Sequence, residues 1–132
     1  LRWRVRIKSF ISDNIRSLTL SSRDALPHAD FVFVSDASHL EKVIQNAKCG
    51  SLADPHNAAA VIVRIDETQN DIDSFSGPGI QKQLTTQINA IVNKAIFLRD
   101  NMFFEFPQGI DLFFVDLDDN LFAIPRTLKK VV

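Results

Sequence analysis

Gly77-Pro78-Gly79-Ile80 stands just ahead of a long stretch without Gly or Pro. If that stretch is a helix, the free N–H groups at its start attract anions, and the glycines let a phosphate approach the backbone. The Gly-Lys-Ser/Thr of a phosphate loop does not follow. A tight structural turn is therefore the stronger reading, and a phosphate or nucleotide site the alternative. A second set lies nearer the C-terminus. Asp111 opens an apolar run, Arg126 and Thr127 close the next one, and an acidic turn joins the two. In an antiparallel pair the start of one strand lies beside the end of the other, so Asp111 and Arg126 come out as neighbours. A charge-assisted pair there fixes register and satisfies an acid among apolar residues. The same Asp111, Arg126 and Thr127 could instead form a polar cluster at a sheet edge, contacting a partner or an anionic ligand.

Other chemistries lack their residues. His28, His39 and His56 share no short spacing and no paired cysteines, so the sequence supports no zinc site. The Asp116 to Asn120 turn begins like a calcium loop. It then puts Leu121 where that loop needs Gly and Thr127 where it needs Glu. Cys49 falls at a predicted helix end, where the dipole disfavours a thiolate. No Gly-x-Ser-x-Gly elbow is present, no lysine sits in an obviously apolar stretch, and no catalytic residue is assigned.

The elements that must position these residues follow from periodicity. Residues 2–7 alternate basic and apolar, which predicts a strand with Trp3, Val5 and Ile7 on one face. Phe10, Ile11, Ile15 and Leu18 recur at helical spacing. Residues 30–34 read as a buried strand. Ser38 with Glu41 resembles a capping box, Leu40, Val43, Ile44 and Ala47 form one helix face, and Gly50 supplies a stop. Residues 58–65 read as a central strand covered on both sides, with residues 72–75 as its hairpin partner. An amphipathic helix of about five turns is predicted from Ile80 to about Leu98. The two runs around the acidic turn predict a closing hairpin. The sum is an α/β protein with a mixed sheet and packed helices.

At 132 residues, one domain over residues 1–132 is expected. The composition, 45% hydrophobic and 23% charged, is that of an ordinary globular protein. Net charge is −1 and the basic residues gather toward the two ends, so no continuous cationic groove favours nucleic acid. The longest apolar run, residues 58–63, is far too short for a bilayer. One cysteine excludes an internal disulfide and fits a cytoplasmic setting.

Three motifs in one order give these residues a resemblance. Gly77, Gly79 and Ile80 precede the predicted helix. Phe106, Pro107, Gly109, Ile110 and Asp111 open a strand, and Ala123, Ile124, Pro125, Arg126 and Thr127 close the chain. The pattern resembles the PhnH family of the bacterial carbon–phosphorus lyase complex, most sharply from about Ala59 to Thr127. It departs at Leu128, where the family has a second Thr, and in lacking the family's N-terminal section. The resemblance implies a fold similar to a pared-down pyridoxal-phosphate (PLP) dependent transferase domain without PLP or any other cofactor. It implies a homodimer in the cytoplasm, working with PhnG-, PhnI- and PhnJ-like subunits. That complex moves a phosphonate onto the ribose of a nucleoside triphosphate, displacing the purine base. The PhnH subunit itself is expected to be noncatalytic, away from membranes and nucleic acids.

Overall fold

The computed structural model describes residues 2–5, 9–66 and 69–131, with side chains from residue 12 onward. Among these residues the chain is α/β, with three α-helices and two sheets. The predicted facing of Trp3, Val5 and Ile7 falls outside the described side chains.

The larger sheet has six strands in the order β2-β1-β3-β4-β7-β8. Here β1 is Arg2–Val5, β2 Ser22–Arg23, β3 Phe31–Val34, β4 Ala60–Arg64, β7 Asp111–Val115 and β8 Leu121–Ile124. The first five in that order pair in parallel, and β8 runs antiparallel to β7. The sheet is therefore mixed, as expected. Parallel neighbours need crossovers. Helix α1 (Ser9–Thr19) follows β1, and α2 (Leu40–Asn46) carries the chain from β3 to β4. The crossover from β4 to β7 is the longest. It contains β5 (Asn70–Ser76), β6 (Leu84–Asn89) and α3 (Ala90–Asp100).

The core forms where alternate strand positions meet two helix faces. Val32 and Val34, Val61 and Val63, and Leu112 and Phe114 are buried at every second position. Leu40, Val43 and Ile44 of α2 and Val92, Ala95 and Ile96 of α3 are buried with them. Strand β4 is central, as read from its apolar run. Its second face, Ala60 and Ile62, is only half-buried, so it is less covered than expected.

Several local expectations are corrected. The helix predicted from Ile80 to Leu98 starts at Ala90, and the residues before it form strand β6. Leu84 and Ile88 lie four apart, a spacing that fits a helix face and is also a multiple of the two-residue strand period. Two adjacent β-branched residues, Thr85 and Thr86, tip the segment to strand. The true helix start is Asn89, whose side chain accepts from the Ile91 N–H at 2.8 Å. Gly77 to Ile80 therefore lies between two paired strands, in the β5–β6 connection, and not at a helix N-terminus. This removes the basis for the anion-site alternative.

Residues 72–75 belong to β5, which pairs with β6 and with β9 (Lys129–Lys130) in a separate three-stranded sheet, not with β4. The residue that caps α2 is His39, which makes no side-chain cap bond, rather than Ser38 with Glu41. Asp36 instead caps the short 3-10 turn Ala37–His39 leading into the helix, accepting from the Ser38 N–H at 2.9 Å. That helix ends at Asn46, before Gly50 is reached. Leu18 of α1 is exposed, not part of a buried face.

The closing hairpin stands as predicted, with Leu112 opposite Ile124 and Val115 opposite Leu121. Its turn is built on Asp116. That carboxylate accepts from the backbone N–H groups of Asp118 and Asn120 and from the Asn120 amide, each at 2.9 Å. The Asn120 side chain, then its backbone N–H, hold the Asp116 carboxyl below the usual carboxylate range.

Candidate functional site

The residues singled out by the sequence converge on one short segment, Pro125 to Leu128, where the chain leaves β8 in the large sheet and enters β9 in the small one. Continuing the β7–β8 register past Ile124 puts Pro125 opposite Asp111. Asp111 turns its own N–H toward the Ala59 carbonyl, at 3.4 Å, and Pro125 has none to offer the open side, so bonding to β7 ends at Ile124. The next N–H, that of Arg126, has lost a strand partner. The Asp111 carboxylate takes it at 2.8 Å, and the Arg126 guanidinium donates to the other carboxylate oxygen at 3.4 Å. The expected pair is present, and it caps the end of a ladder.

The sequence reading missed the centre of this arrangement. Arg99, on the last turn of α3, is 1% exposed. It lies on the same face as Val92, Ala95 and Ile96, three and four residues apart, so it points into the core. A cation on that apolar stripe was the available signal. A buried guanidinium must be fully hydrogen-bonded and paired. Arg99 donates to the carbonyl of Pro125 at 3.0 Å, to the carbonyl of Leu128, and to the Asp100 carboxylate at 3.1 and 3.2 Å. The Pro125 carbonyl also accepts from the Leu128 N–H at 3.0 Å. The turn is thus closed from outside by its own backbone and from inside by Arg99. Asp100 then accepts from the Lys130 N–H at 3.3 Å and lies 3.6 Å from the Lys129 ammonium. Farther along, the Lys130 ammonium is 2.6 Å from Asp73 of β5. That bond, the largest cause, lowers the Asp73 carboxyl pKa.

Two glycines are fitted to the same segment. A Cβ on Gly109 would lie 2.9 Å from the Cβ of Arg126, and Gly109 has φ +151°. A Cβ on Gly77 would lie 3.0 Å from the Cα of Leu128 and 3.5 Å from the Thr127 carbonyl oxygen. The motif around Gly109 is tied on its other side as well. Its N–H donates to the Cys49 carbonyl at 3.0 Å, and Gln108 donates to the Gly50 carbonyl at 3.1 Å. Ile110 is fully buried, and the Phe106–Pro107 peptide bond is cis.

Not every expected residue joins in. Pro78 and Gly79 are exposed at the tip of the β5–β6 connection, and nothing lies within 4 Å of a Cβ built on Gly79. Ile80 turns back to pack on the core. Phe106 faces solvent. Thr127 is half-buried within the turn. No group of three or more metal-ligating side chains occurs among the described residues.

A family model for the bacterial phosphonate metabolism protein PhnH matches residues 2–130. The chain belongs to that family. A search of curated proteins found no match.

Five substitutions test the clasp. Asp111→Ala leaves the Arg126 N–H and guanidinium without their acceptor and is expected to destabilise the fold by about 1–3 kcal/mol. Asp111→Asn retains an acceptor and should lose less. Equal melting temperatures for wild type and Asp111→Ala would break the argument. Arg99→Met abandons the Pro125 and Leu128 carbonyls and Asp100 together, with an expected loss of about 3–5 kcal/mol by denaturant titration. A loss below 1 kcal/mol would mean that the C-terminal segment does not depend on Arg99. For the glycines, Gly79→Ala meets only a positive φ of 81° in open space, a cost of about 1 kcal/mol. Gly109→Ala adds a collision with a Cβ that cannot swing away, raising the cost to about 2–3 kcal/mol. The ranking, read from urea midpoints, is the check.

Proposed function

We propose that this PhnH-family chain, involved in phosphonate metabolism, is a noncatalytic subunit of a carbon–phosphorus lyase complex. In this reading it acts as one domain, in the cytoplasm and as a homodimer, beside PhnG-, PhnI- and PhnJ-like subunits. It supports the step that moves a phosphonate to the ribose of a nucleoside triphosphate. Its fold is then a pared-down relative of a PLP-dependent transferase domain, working without PLP. The parallel run of strands with one antiparallel edge agrees with that kinship.

The observation that carries the subunit reading is apolar surface. Phe103 is fully exposed, Phe106 nearly so, and Leu117 and Leu121 are more than half exposed. Leu84 and Phe122 flank a groove of about 940 Å³ together with Leu117 and Leu121. Large apolar side chains gathered at the surface mark places where another protein belongs. The polar motif residues point the same way. Arg126, the cation nearest the motif, is engaged by Asp111, and Gly77 and Gly109 are filled by the chain's own C-terminal segment. These groups hold the fold together, so the surface is left to carry the function.

Co-purification tests the proposal. Tagged at its C-terminus and expressed in its native host under phosphate starvation, the chain should bring down PhnG-, PhnI- and PhnJ-like proteins. Recovery of the chain alone would refute it.

A further inference from the structure

The apolar groove lies between two unpaired strand edges. Strand β8 ends the order of the six-stranded sheet, and β6 ends that of the three-stranded sheet. Both line the groove, β8 along its whole length from Leu121 to Ile124 and β6 through Leu84, Thr86 and Ile88. An open strand edge with apolar side chains is a template for another strand, and proteins ordinarily blunt such edges with lysine, proline or a covering element. Here the residues of β8 are Leu, Phe, Ala and Ile.

The hydrogen-bond alternation of β8 can be read from its turn. The Asp116 N–H donates to the Asn120 carbonyl at 3.1 Å, which makes these two a hydrogen-bonded pair. Pairs then alternate. Val115–Leu121 and Phe113–Ala123 are non-bonded pairs, while Phe114–Phe122 and Leu112–Ile124 exchange bonds. In agreement, the Val115 carbonyl accepts from Ile65 on the far side, at 2.9 Å. The backbone N–H and C=O groups of Leu121 and Ala123 therefore point outward from the edge, where no strand follows among the described residues.

Charge gives the occupant its chemistry. Asp66, Asp116 and Asp118 line the groove, and no lysine, arginine or histidine does among the described residues. Arg64 offsets Asp66 at 3.2 Å, which leaves the two turn aspartates unopposed by a lining cation. We propose that β8 is a strand-addition site taking an extended segment of a partner subunit, in which every second residue is apolar and enters the groove and a basic residue beyond the paired stretch meets Asp118 at the turn. Main-chain bonds to Leu121 and Ala123 supply the pairing, and the side-chain alternation supplies the choice of partner. The inference rests on the subunit reading above and adds the surface and the kind of segment.

The test is assembly with the PhnG-, PhnI- and PhnJ-like subunits of the same host, followed by amide hydrogen exchange. The outward amides of Leu121 and Ala123 should slow at least tenfold on assembly. Ala123→Pro removes one outward N–H and leaves the bonds to β7 intact, so it should fold with an unchanged melting temperature and fail to assemble. Asp118→Lys should weaken assembly at least tenfold, as a variant that leaves the backbone untouched. Normal assembly of Ala123→Pro, with Leu121 and Ala123 still exchanging fast, overturns the strand-addition site while the subunit reading stands. Protection of those amides in the isolated chain, rising with its concentration, overturns it in favour of a second copy on the same edge. Failure of the wild-type chain to assemble at all overturns both readings together.

Discussion

The rest of the structure depends on a buried guanidinium. Arg99 sits at the end of α3, beneath the segment that carries the chain from β8 of the large sheet into β9 of the small one. Its donors fall on two carbonyls of the crossing segment and on the neighbouring Asp100. A buried cation is a poor source of net stability, because leaving water costs nearly what the new partners return. It is a strict source of geometry, since any displacement of the segment strands a charge in the core. The small sheet is also tied to α3 by Asn93, which donates to Asp71 of β5 at 3.1 Å, and to the core by Phe75. Strand β9 is two residues long, and its course is set by Asp100 at one residue and Asp73 at the next.

From that constraint the fates of the three motifs follow. The ladder to β7 ends at Ile124, an aspartate collects the Arg126 N–H that follows it, and two glycines clear space for the turn that Arg99 anchors. Residues 77, 109 and 126 are far apart in sequence and share one physical purpose. Groups occupied in this way offer little to a ligand. A carboxylate that accepts a backbone N–H and a guanidinium has spent its strongest sites.

The sequence made some of this legible, for physical reasons. The closing hairpin was readable because its strands are short and its turn is rich in Asp and Asn. The Asp111–Arg126 pair followed from antiparallel geometry alone. The helix from Ile80 was misread because Leu84 and Ile88 satisfy two periods at once, and only Asn89 marks where one hands over to the other. The β5–β6 pairing could not be read locally, since β5 has a polar residue at most positions and takes its order from neighbours in space. Arg99 was hidden for a different reason. A single basic residue near a helix end reads as favourable charge against the dipole, and only the burial of its whole face gives it another meaning.

The same clasp explains why the surface stays open. By diverting the chain at Pro125, it ends β8 after four residues and sends the next strand to another sheet. Had the chain turned back instead, a ninth strand could have covered the β8 edge and filled the groove beside it. What remains is an edge with Leu121 64% exposed, lying between two sheets that the clasp holds in register. A monomer gains nothing from that arrangement, since exposed apolar area of this kind stays solvated at a cost. An assembly does gain, because a preformed groove has no ordering left to do when its partner arrives.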